Sequence, residues 1–236
     1  SRKELRFAAV ESLGAMRAQA AVKSLLGILT DPDRGLRRAA ADSLGALGDP
    51  QAVASLALAL EDEHWSVRCA AASALGRIRS QKATQALLAR LADEDATVCR
   101  AAAAALGEIG DSRATRPLIG LLDTPALQAS ALEALRRMGA AILPEVEQAF
   151  AASGAEARRL LADLVGKLED RRARRLLLAA LADEHPEVRA EAALALGEGG
   201  FLDAVRPLMD VKAADPSPKV RQAAAAALKK LSPRPR

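Results

Sequence analysis

Residues 31–61 read DPDRGLRRAAADSLGALGDPQAVASLALALE, residues 62–92 read DEHWSVRCAAASALGRIRSQKATQALLARLA, and residues 93–123 read DEDATVCRAAAAALGEIGDSRATRPLIGLLD. A Leu-Gly dipeptide stands at the same place in each segment. The dipeptides are Leu13-Gly14, Leu44-Gly45, Leu75-Gly76 and Leu106-Gly107, and the phase returns at Leu196-Gly197. A fixed period of 31 residues indicates that each repeat is one supersecondary unit stacked on its neighbours.

Each repeat has the signals for two antiparallel helices. An Asp opens the unit (Asp31, Asp62, Asp93) and is expected to cap an Ala-rich first helix by accepting a backbone N–H. A Gly-Asp pair follows at Gly48-Asp49 and Gly110-Asp111. Gly can adopt the left-handed conformation that ends the first helix, and the Asp is expected to cap the second.

The composition favours helices throughout. Half of the residues are hydrophobic, yet the aromatic residues number four, namely Phe7, Trp65, Phe150 and Phe201. Ala and Leu are strong helix formers, whereas the aromatic side chains favoured in strands are scarce. We therefore predict an all-α fold, a right-handed α-solenoid of about seven helix pairs and a terminal helix at 217–231. It forms a single domain over 1–231, and residues 232–236 form a tail.

The pattern weakens between residues 124 and 182. Thr124-Pro125 replaces the opening Asp, Arg136 replaces the glycine of Leu-Gly, and residues 140–154 drift out of register. We expect irregular repeats over 124–182 and a local change of curvature near 139–156.

The repeat resembles the HEAT-like repeats of phycobilisome lyases, a branch of the HEAT/armadillo group. The matching pattern is Asp-x4-Val-Arg-x2-Ala-Ala-x-Ala-Leu-Gly-x-Ile-Gly-Asp-x2-Ala-Val-x-Pro-Leu, which residues 31–123 and 183–231 follow closely. The resemblance implies the solenoid architecture and a binding surface on a concave face lined by second helices. It does not imply one activity, because the family includes scaffolds, lyase subunits and metal enzymes.

An arginine recurs six residues after the opening Asp, at Arg37, Arg68, Arg189 and Arg221. One interpretation is an arginine ladder that binds phosphates. The other, which we favour because the Asp recurs with the Arg, is that each Arg pairs with a nearby Asp and ties successive units together.

The register also predicts which second-helix positions are exposed. In the first two repeats these positions are small and neutral apart from Lys23, and include Gln19, Ala20, Ser24, Gln51, Ala54, Ser55 and Leu58. Later they become basic, and the candidate binding residues are Lys82, Arg113, Arg116, Arg171, Arg172, Arg175 and Arg206. The densest group is Arg171-Arg172-Ala173-Arg174-Arg175, at the start of a second helix. It is interpreted either as an anion-binding site or as a solvated helix start offset by Glu169, Asp170, Asp183 and Glu184.

Several enzyme classes lack their residues in this sequence. Deoxyhypusine hydroxylases share the fold and bind iron through His-Glu dipeptides, whereas this chain has no such dipeptide and its two histidines, His64 and His185, follow Glu in distant opening loops. Trp65, at the start of a first helix, suits packing better than the base stacking of a glycosylase. No catalytic set, metal site or cofactor motif is predicted. Cys69 and Cys99 are expected to be reduced and mostly buried.

The sequence therefore predicts a non-enzymatic protein-interaction module or scaffold. Its partner would be a protein, with an acidic segment as the favoured ligand. The alternatives are a bilin lyase-like subunit and a nucleic-acid or phosphate-binding protein. The net charge of +4, shared evenly along the chain, favours a nucleic-acid partner only weakly. No apolar run is long enough to span a membrane, and we expect a cytoplasmic monomer without a cofactor.

Overall fold

The computed structural model describes residues 2–168 and 170–232. The described residues are helical or lie in short connections, and they contain no strand. The predicted all-α solenoid is thus confirmed. Glu169 and residues 233–236, which include most of the predicted tail, lie outside the described residues.

Seven helix pairs and a terminal helix follow one another, as the period predicts. They are α1 (Arg2–Ala15) with α2 (Val22–Ile28), α3 (Arg34–Leu47) with α4 (Val53–Ala59), α5 (Trp65–Ile78) with α6 (Thr84–Ala89), α7 (Ala96–Ile109) with α8 (Thr115–Gly120), α9 (Pro125–Met138) with α10 (Leu143–Ala149), α11 (Ala155–Gly166) with α12 (Arg171–Ala180), α13 (Pro186–Glu198) with α14 (Val205–Ala214), and α15 (Pro218–Leu231). Three-residue 3₁₀ turns such as Pro50–Ala52 and Leu202–Ala204 lead into several second helices.

The caps of the second helices follow the prediction. Gly48 and Gly110 have a φ of 70° and end α3 and α7 in the left-handed conformation. The next residue then caps the following turn: Asp49 accepts from the N–H of Gln51, and Asp111 from the N–H of Arg113.

The prediction for the opening Asp is wrong. The N-cap of each first helix is the residue two positions later, namely Asp33 for α3, His64 for α5 and Asp95 for α7. The opening carboxylate instead accepts from the N–H of that N-cap residue, as in the 2.9 Å bond from His64 to Asp62. This local turn holds the carboxylate beside the arginine of the preceding repeat, which is described below.

The glycine of Leu-Gly allows close approach of neighbouring first helices. A Cβ atom built on Gly45 would lie 2.7 Å from the Cα of Ala74, and one built on Gly197 would lie 2.5 Å from the Cα of Ala227. Real Cβ atoms do not approach that closely. The recurring Leu-Gly therefore reflects a packing requirement rather than the helix end, which comes two residues after the glycine in α3, α5 and α7.

The chain divides into two compact units. The N-terminal unit comprises Ser1–Leu118 with Pro125–Met138, and the C-terminal unit comprises Ile119–Thr124 with Gly139–Arg236. In the N-terminal unit α1, α3, α5, α7 and α9 pack in succession, and in the C-terminal unit α11, α13 and α15 do the same. The division falls at the start of the stretch where the sequence pattern weakens.

Candidate functional site

The recurring arginines are structural, as the favoured interpretation predicts. The guanidinium of Arg68 donates to both carboxylate oxygens of Asp93, at 3.0 and 2.7 Å, and to the carbonyl oxygen of Asp62 at 3.0 Å. Both side chains of this pair are almost fully buried. The same arrangement joins Arg37 to Asp62, Arg158 to Asp183 and Arg189 to Asp215. Because these four guanidinium groups are mostly buried and paired with carboxylates, they are engaged within the stack, whereas Arg221 is half-buried and donates to the carbonyl oxygens of Asp215 and Pro216.

The predicted exposure of the second-helix positions is confirmed. In the N-terminal unit Gln19, Ala20, Gln51, Ala54, Leu58 and Lys82 are exposed, and Ser55 is half-buried. Arg113 and Arg116 are exposed as well. Arg113 is nevertheless held by Asp111, to which it donates from Nε at 3.0 Å, and this bond is the main reason that the pKa of Asp111 falls to about 2. Lys82 has no ion-pair partner among the described residues.

The C-terminal unit contains the densest group of predicted residues. Four arginines lie within the first five residues of α12, and we call Arg171, Arg172, Arg174, Arg175 and Arg206 the arginine surface. The N-cap is Asp170, whose carboxylate accepts from the N–H of Arg172 at 2.7 Å. This cap stabilises a helix start that would otherwise be strained by cations at the positive end of the helix dipole.

Carboxylates from either side fix two of these arginines. Arg175 donates to Glu147 of α10 at 2.7 Å, and Arg174 lies 2.8 Å from Asp203, which precedes α14. Helix α12 is thereby tied to both of its neighbours. Among the described residues, no carboxylate lies within ion-pair distance of Arg171 or Arg172, and both side chains are exposed.

A shallow recess marks the same place: the cavity beside α12 has a volume of about 310 Å³ and is lined by its four arginines and Leu178. Arg206 of α14 is exposed and occupies the position equivalent to Arg175, since Ala173 and Ala204 are the buried residues two positions before Arg175 and Arg206. The predicted residues Arg171, Arg172, Arg175 and Arg206 therefore all lie on second helices of the C-terminal unit.

The residues considered for chemistry have structural surroundings. His64 is half-buried at the N-cap of α5, where its Nδ1 accepts from the N–H of Ser66 at 3.2 Å. His185 holds the equivalent place before α13 in the other unit, with Nδ1 3.0 Å from Arg158. Both histidines lie in the opening loops as the sequence predicts, and they are half-buried there rather than fully exposed.

Trp65 is more exposed than a packing residue would be. It is the first residue of α5, 45% of it is exposed, and its ring stacks on His64 with centroids 5.9 Å apart. Cys69 is half-buried and Cys99 is buried, both as free thiols, and burial raises the pKa of each.

The described residues contain neither a metal-binding cluster nor a membrane-spanning helix. Within residues 2–168 and 170–232, no group of three or more His, Cys, Asp or Glu side chains is arranged to hold a metal ion. No helix in this part of the chain is long and apolar enough to cross a membrane.

Comparison with protein families identifies the repeat. A family model described as HEAT repeats matches residues 1–60, 53–136 and 143–229. The chain belongs to the HEAT-repeat family. This confirms the resemblance drawn from the 31-residue pattern. No curated protein sequence matches this chain.

Solved structures of HEAT and armadillo proteins are similar to this chain. The complex of CpcE and CpcF of phycocyanin lyase from Nostoc sp. PCC7120 has a TM-score of 0.50 at 25% identity, covering 89% of this chain and 94% of that chain. Importin beta has a TM-score of 0.59 at 16% identity, covering 94% of this chain and 36% of that chain. Human deoxyhypusine hydroxylase has a TM-score of 0.41 at 23% identity, covering 93% and 99%.

Sequence reasoning missed the two carboxylates that hold α12 in this HEAT-repeat protein. Asp203 stands at a predicted exposed position and could have been found from the register. Glu147 lies in the stretch that drifts out of register, so no periodic signal placed it beside Arg175. Two exposed apolar residues, Leu202 and Met209, were also missed.

Proposed function

We propose that this HEAT-repeat protein is a non-enzymatic interaction module that binds an acidic segment of a partner protein. The proposed contacts are Arg171, Arg172, Arg175 and Arg206 in the C-terminal unit. The observation that carries the proposal is that α12 presents four arginines, of which two are fixed by neighbouring helices and two have no ion-pair partner among the described residues.

The arrangement suits carboxylates for two reasons. A guanidinium offers a planar set of donors that can bind a carboxylate through two bonds. The ion pairs of Arg174 and Arg175 hold α12 against its neighbours before the partner arrives. Binding then costs less ordering entropy than binding by a mobile segment would.

Glu147 is expected to compete with the partner, because it already occupies the guanidinium of Arg175. An incoming carboxylate must either share this arginine or displace Glu147. Glu147→Gln should therefore strengthen the binding of an acidic segment.

The test uses a fluorescently labelled polyglutamate peptide and measures its anisotropy with the full chain. Arg172→Glu with Arg175→Glu should weaken binding by about tenfold or more, since an attractive surface becomes a repulsive one. Circular dichroism should show unchanged helicity, because both side chains are exposed.

A matched control separates the site from net charge. Arg34→Glu with Arg77→Glu makes the same charge change at exposed positions of first helices in the N-terminal unit. This variant should bind the peptide almost as well as the parent chain. Equal losses in the two double variants would reject the site and leave a non-specific effect of charge.

Nucleic acid is tested in the same assay with a labelled duplex and a labelled single strand. Tighter binding of either one than of polyglutamate, with a steep dependence on salt, would contradict the proposal.

A lyase-type subunit is a second candidate, supported by the similarity to the CpcE–CpcF complex of phycocyanin lyase over most of both chains. In that case the protein would act on a chromophore together with another subunit. The test is visible absorbance of the purified protein after expression with a bilin. A stoichiometric absorbance band would favour this candidate over the interaction module.

A further inference from the structure

The arginine surface is bordered by apolar side chains that water reaches. Leu202 is 69% exposed and Met209 is 57% exposed. They lie four residues before and three residues after Arg206, so the three side chains share one face of the segment that ends in α14. Large apolar residues grouped on a polar surface are typical of binding sites, and Met adapts its shape to a partner.

The same pairing occurs on α12. Because Ala173 and Ala204 are equivalent buried positions, Leu178 on α12 corresponds to Met209 on α14, and Arg175 corresponds to Arg206. Leu178 is half-buried and lines the recess beside the α12 arginines. Each helix thus presents an arginine and, one turn later, an apolar side chain.

In the N-terminal unit this pairing is not found at the described second-helix positions. The residues equivalent to Arg175 there are Lys23, Ala54, Gln85 and Arg116. The residues three positions later are half-buried in three cases, namely Leu26, Ala57 and Leu88. The fourth, Ile119, is buried and belongs to the C-terminal unit. Lys23 with Leu26 is the nearest equivalent, and among the described second helices the pair of an arginine and an accessible large apolar residue occurs on α12 and α14.

We infer that the partner segment is acidic and also carries two large apolar side chains, which contact Leu178 and Met209 while its carboxylates bind the arginines beside them. This inference rests on the proposed function and restricts the class of ligand to acidic segments that also carry apolar side chains. A uniform polyanion offers only the charges, and a nucleic acid has no aliphatic side chains for Leu178 and Met209.

The spacing of the two helices sets the spacing of the two apolar residues. The Arg174–Asp203 ion pair links α12 to the turn that precedes α14, and we take the spacing of these two second helices as roughly 10 Å. A chain in the polyproline II conformation advances about 3.1 Å per residue with three residues per turn, so side chains i and i+3 lie on one face about 9 Å apart. The segment is therefore extended, with apolar residues at positions i and i+3 and acidic residues around them.

The experiment compares three labelled peptides of equal length and charge against the full chain. The first has two leucines three residues apart among glutamates, the second has glutamines in place of the leucines, and the third has the leucines adjacent. The first peptide should bind about fivefold to tenfold more tightly than the other two, as expected for partial burial of two apolar side chains.

Variants of the protein locate the contact. Met209→Gln should remove most of the advantage of the first peptide and leave binding of the glutamine peptide unchanged. Leu58→Gln is the matched control, since Leu58 is an exposed apolar residue of a second helix without a neighbouring arginine surface, and it should change nothing.

The outcomes separate the two proposals. If all three peptides bind equally and Arg172→Glu with Arg175→Glu weakens them, the acidic-segment function stands and the apolar contact is rejected. If none of the peptides binds, the proposed function itself fails. Equal losses for Met209→Gln and Leu58→Gln would also reject the contact.

Discussion

Gly45 is tightly constrained, because a Cβ atom there would come within 2.7 Å of the Cα of Ala74. Gly45→Ala should push the two first helices apart and lower the free energy of unfolding by about 1–3 kcal/mol, the range for overpacked cores. Urea denaturation measures the change.

Gly27 is the matched control for that substitution. It lies in α2 with nothing within 4 Å of the position that a Cβ would occupy. Gly27→Ala should raise the free energy of unfolding by about 0.5–1 kcal/mol, because Ala loses less backbone entropy than Gly in a helix. A loss of stability at Gly27 equal to that at Gly45 would show that the close contact is not the cause.

Two threonines at equivalent positions of successive repeats should respond oppositely to the same change. The hydroxyl of Thr84 donates to Asp111 at 2.9 Å, whereas the buried hydroxyl of Thr115 has no hydrogen-bond partner among the described residues. Thr84→Val should cost about 1.5–3 kcal/mol of unfolding free energy, since the lost bond is to a charged group. Thr115→Val should instead stabilise by about 1 kcal/mol, because it removes an unsatisfied buried polar atom.

Thermal and urea unfolding of both variants provide the measurement. The result that would contradict this argument is destabilisation by Thr115→Val of the same size as that by Thr84→Val. The sequence alone could not distinguish the two threonines, because the carboxylate that Thr84 contacts lies in the next repeat and the repeat that follows Thr115 departs from the pattern after residue 123.

At the scale of the element, the ladder is the feature that the sequence predicts best, since Asp and Arg recur together with one spacing. The predicted capping role of the opening Asp is wrong, and the cause is physical. An Asp before a helix can accept a hydrogen bond either from a backbone N–H of the helix or from one in the turn just before it. The two arrangements have similar sequences. Only the three-dimensional arrangement shows that the carboxylate must face the arginine of the preceding repeat.

The ladder predicts a large effect for one buried arginine. Arg68→Ala leaves Asp93 buried without its main partner, and the side chains of this pair are 6% and 2% exposed. The expected loss is about 3–5 kcal/mol of unfolding free energy. Arg38→Ala, whose side chain is mostly exposed and lies 3.7 Å from Asp42, should change it by about 0.5 kcal/mol or less.

Urea denaturation distinguishes these cases, provided that both variants fold. A small effect at Arg68 would mean that the ladder serves register rather than stability. Arg68→Lys would then also be tolerated, although a lysine cannot make the two parallel bonds to Asp93.

At the scale of the whole molecule, the sequence predicts one solenoid over residues 1–231, and the structure divides the chain into two compact units. The position of the division has a sequence signal. In α7 the ladder position carries Cys99 and in α9 it carries Ser130, so the arginine is missing from two successive repeats. The exposure and the charge of the candidate site could be predicted from the sequence. The carboxylate of Glu147 could not, because it lies in a stretch that does not follow the repeat register.

A destabilising substitution in one unit should leave the stability of the other unit unchanged. In a repeat stack, a destabilised repeat affects others through contacts between neighbours, and each of the four ladder pairs described above joins repeats of the same unit. Gly45→Ala should therefore lower hydrogen-exchange protection in α1, α3, α5 and α7, by roughly thirtyfold for a loss of 2 kcal/mol. Protection in α11, α13 and α15 should remain at the level of the parent chain.

Gly197→Ala provides the reciprocal variant, because a Cβ there would lie 2.5 Å from the Cα of Ala227 in the C-terminal unit. It should lower protection in α13 and α15 and spare α3 and α5. If either substitution lowers protection equally along the whole chain, the molecule unfolds as one cooperative body and the single solenoid over 1–231 is the better description. A separate response would instead mean that the arginine surface can be weakened or strengthened without altering the N-terminal repeats.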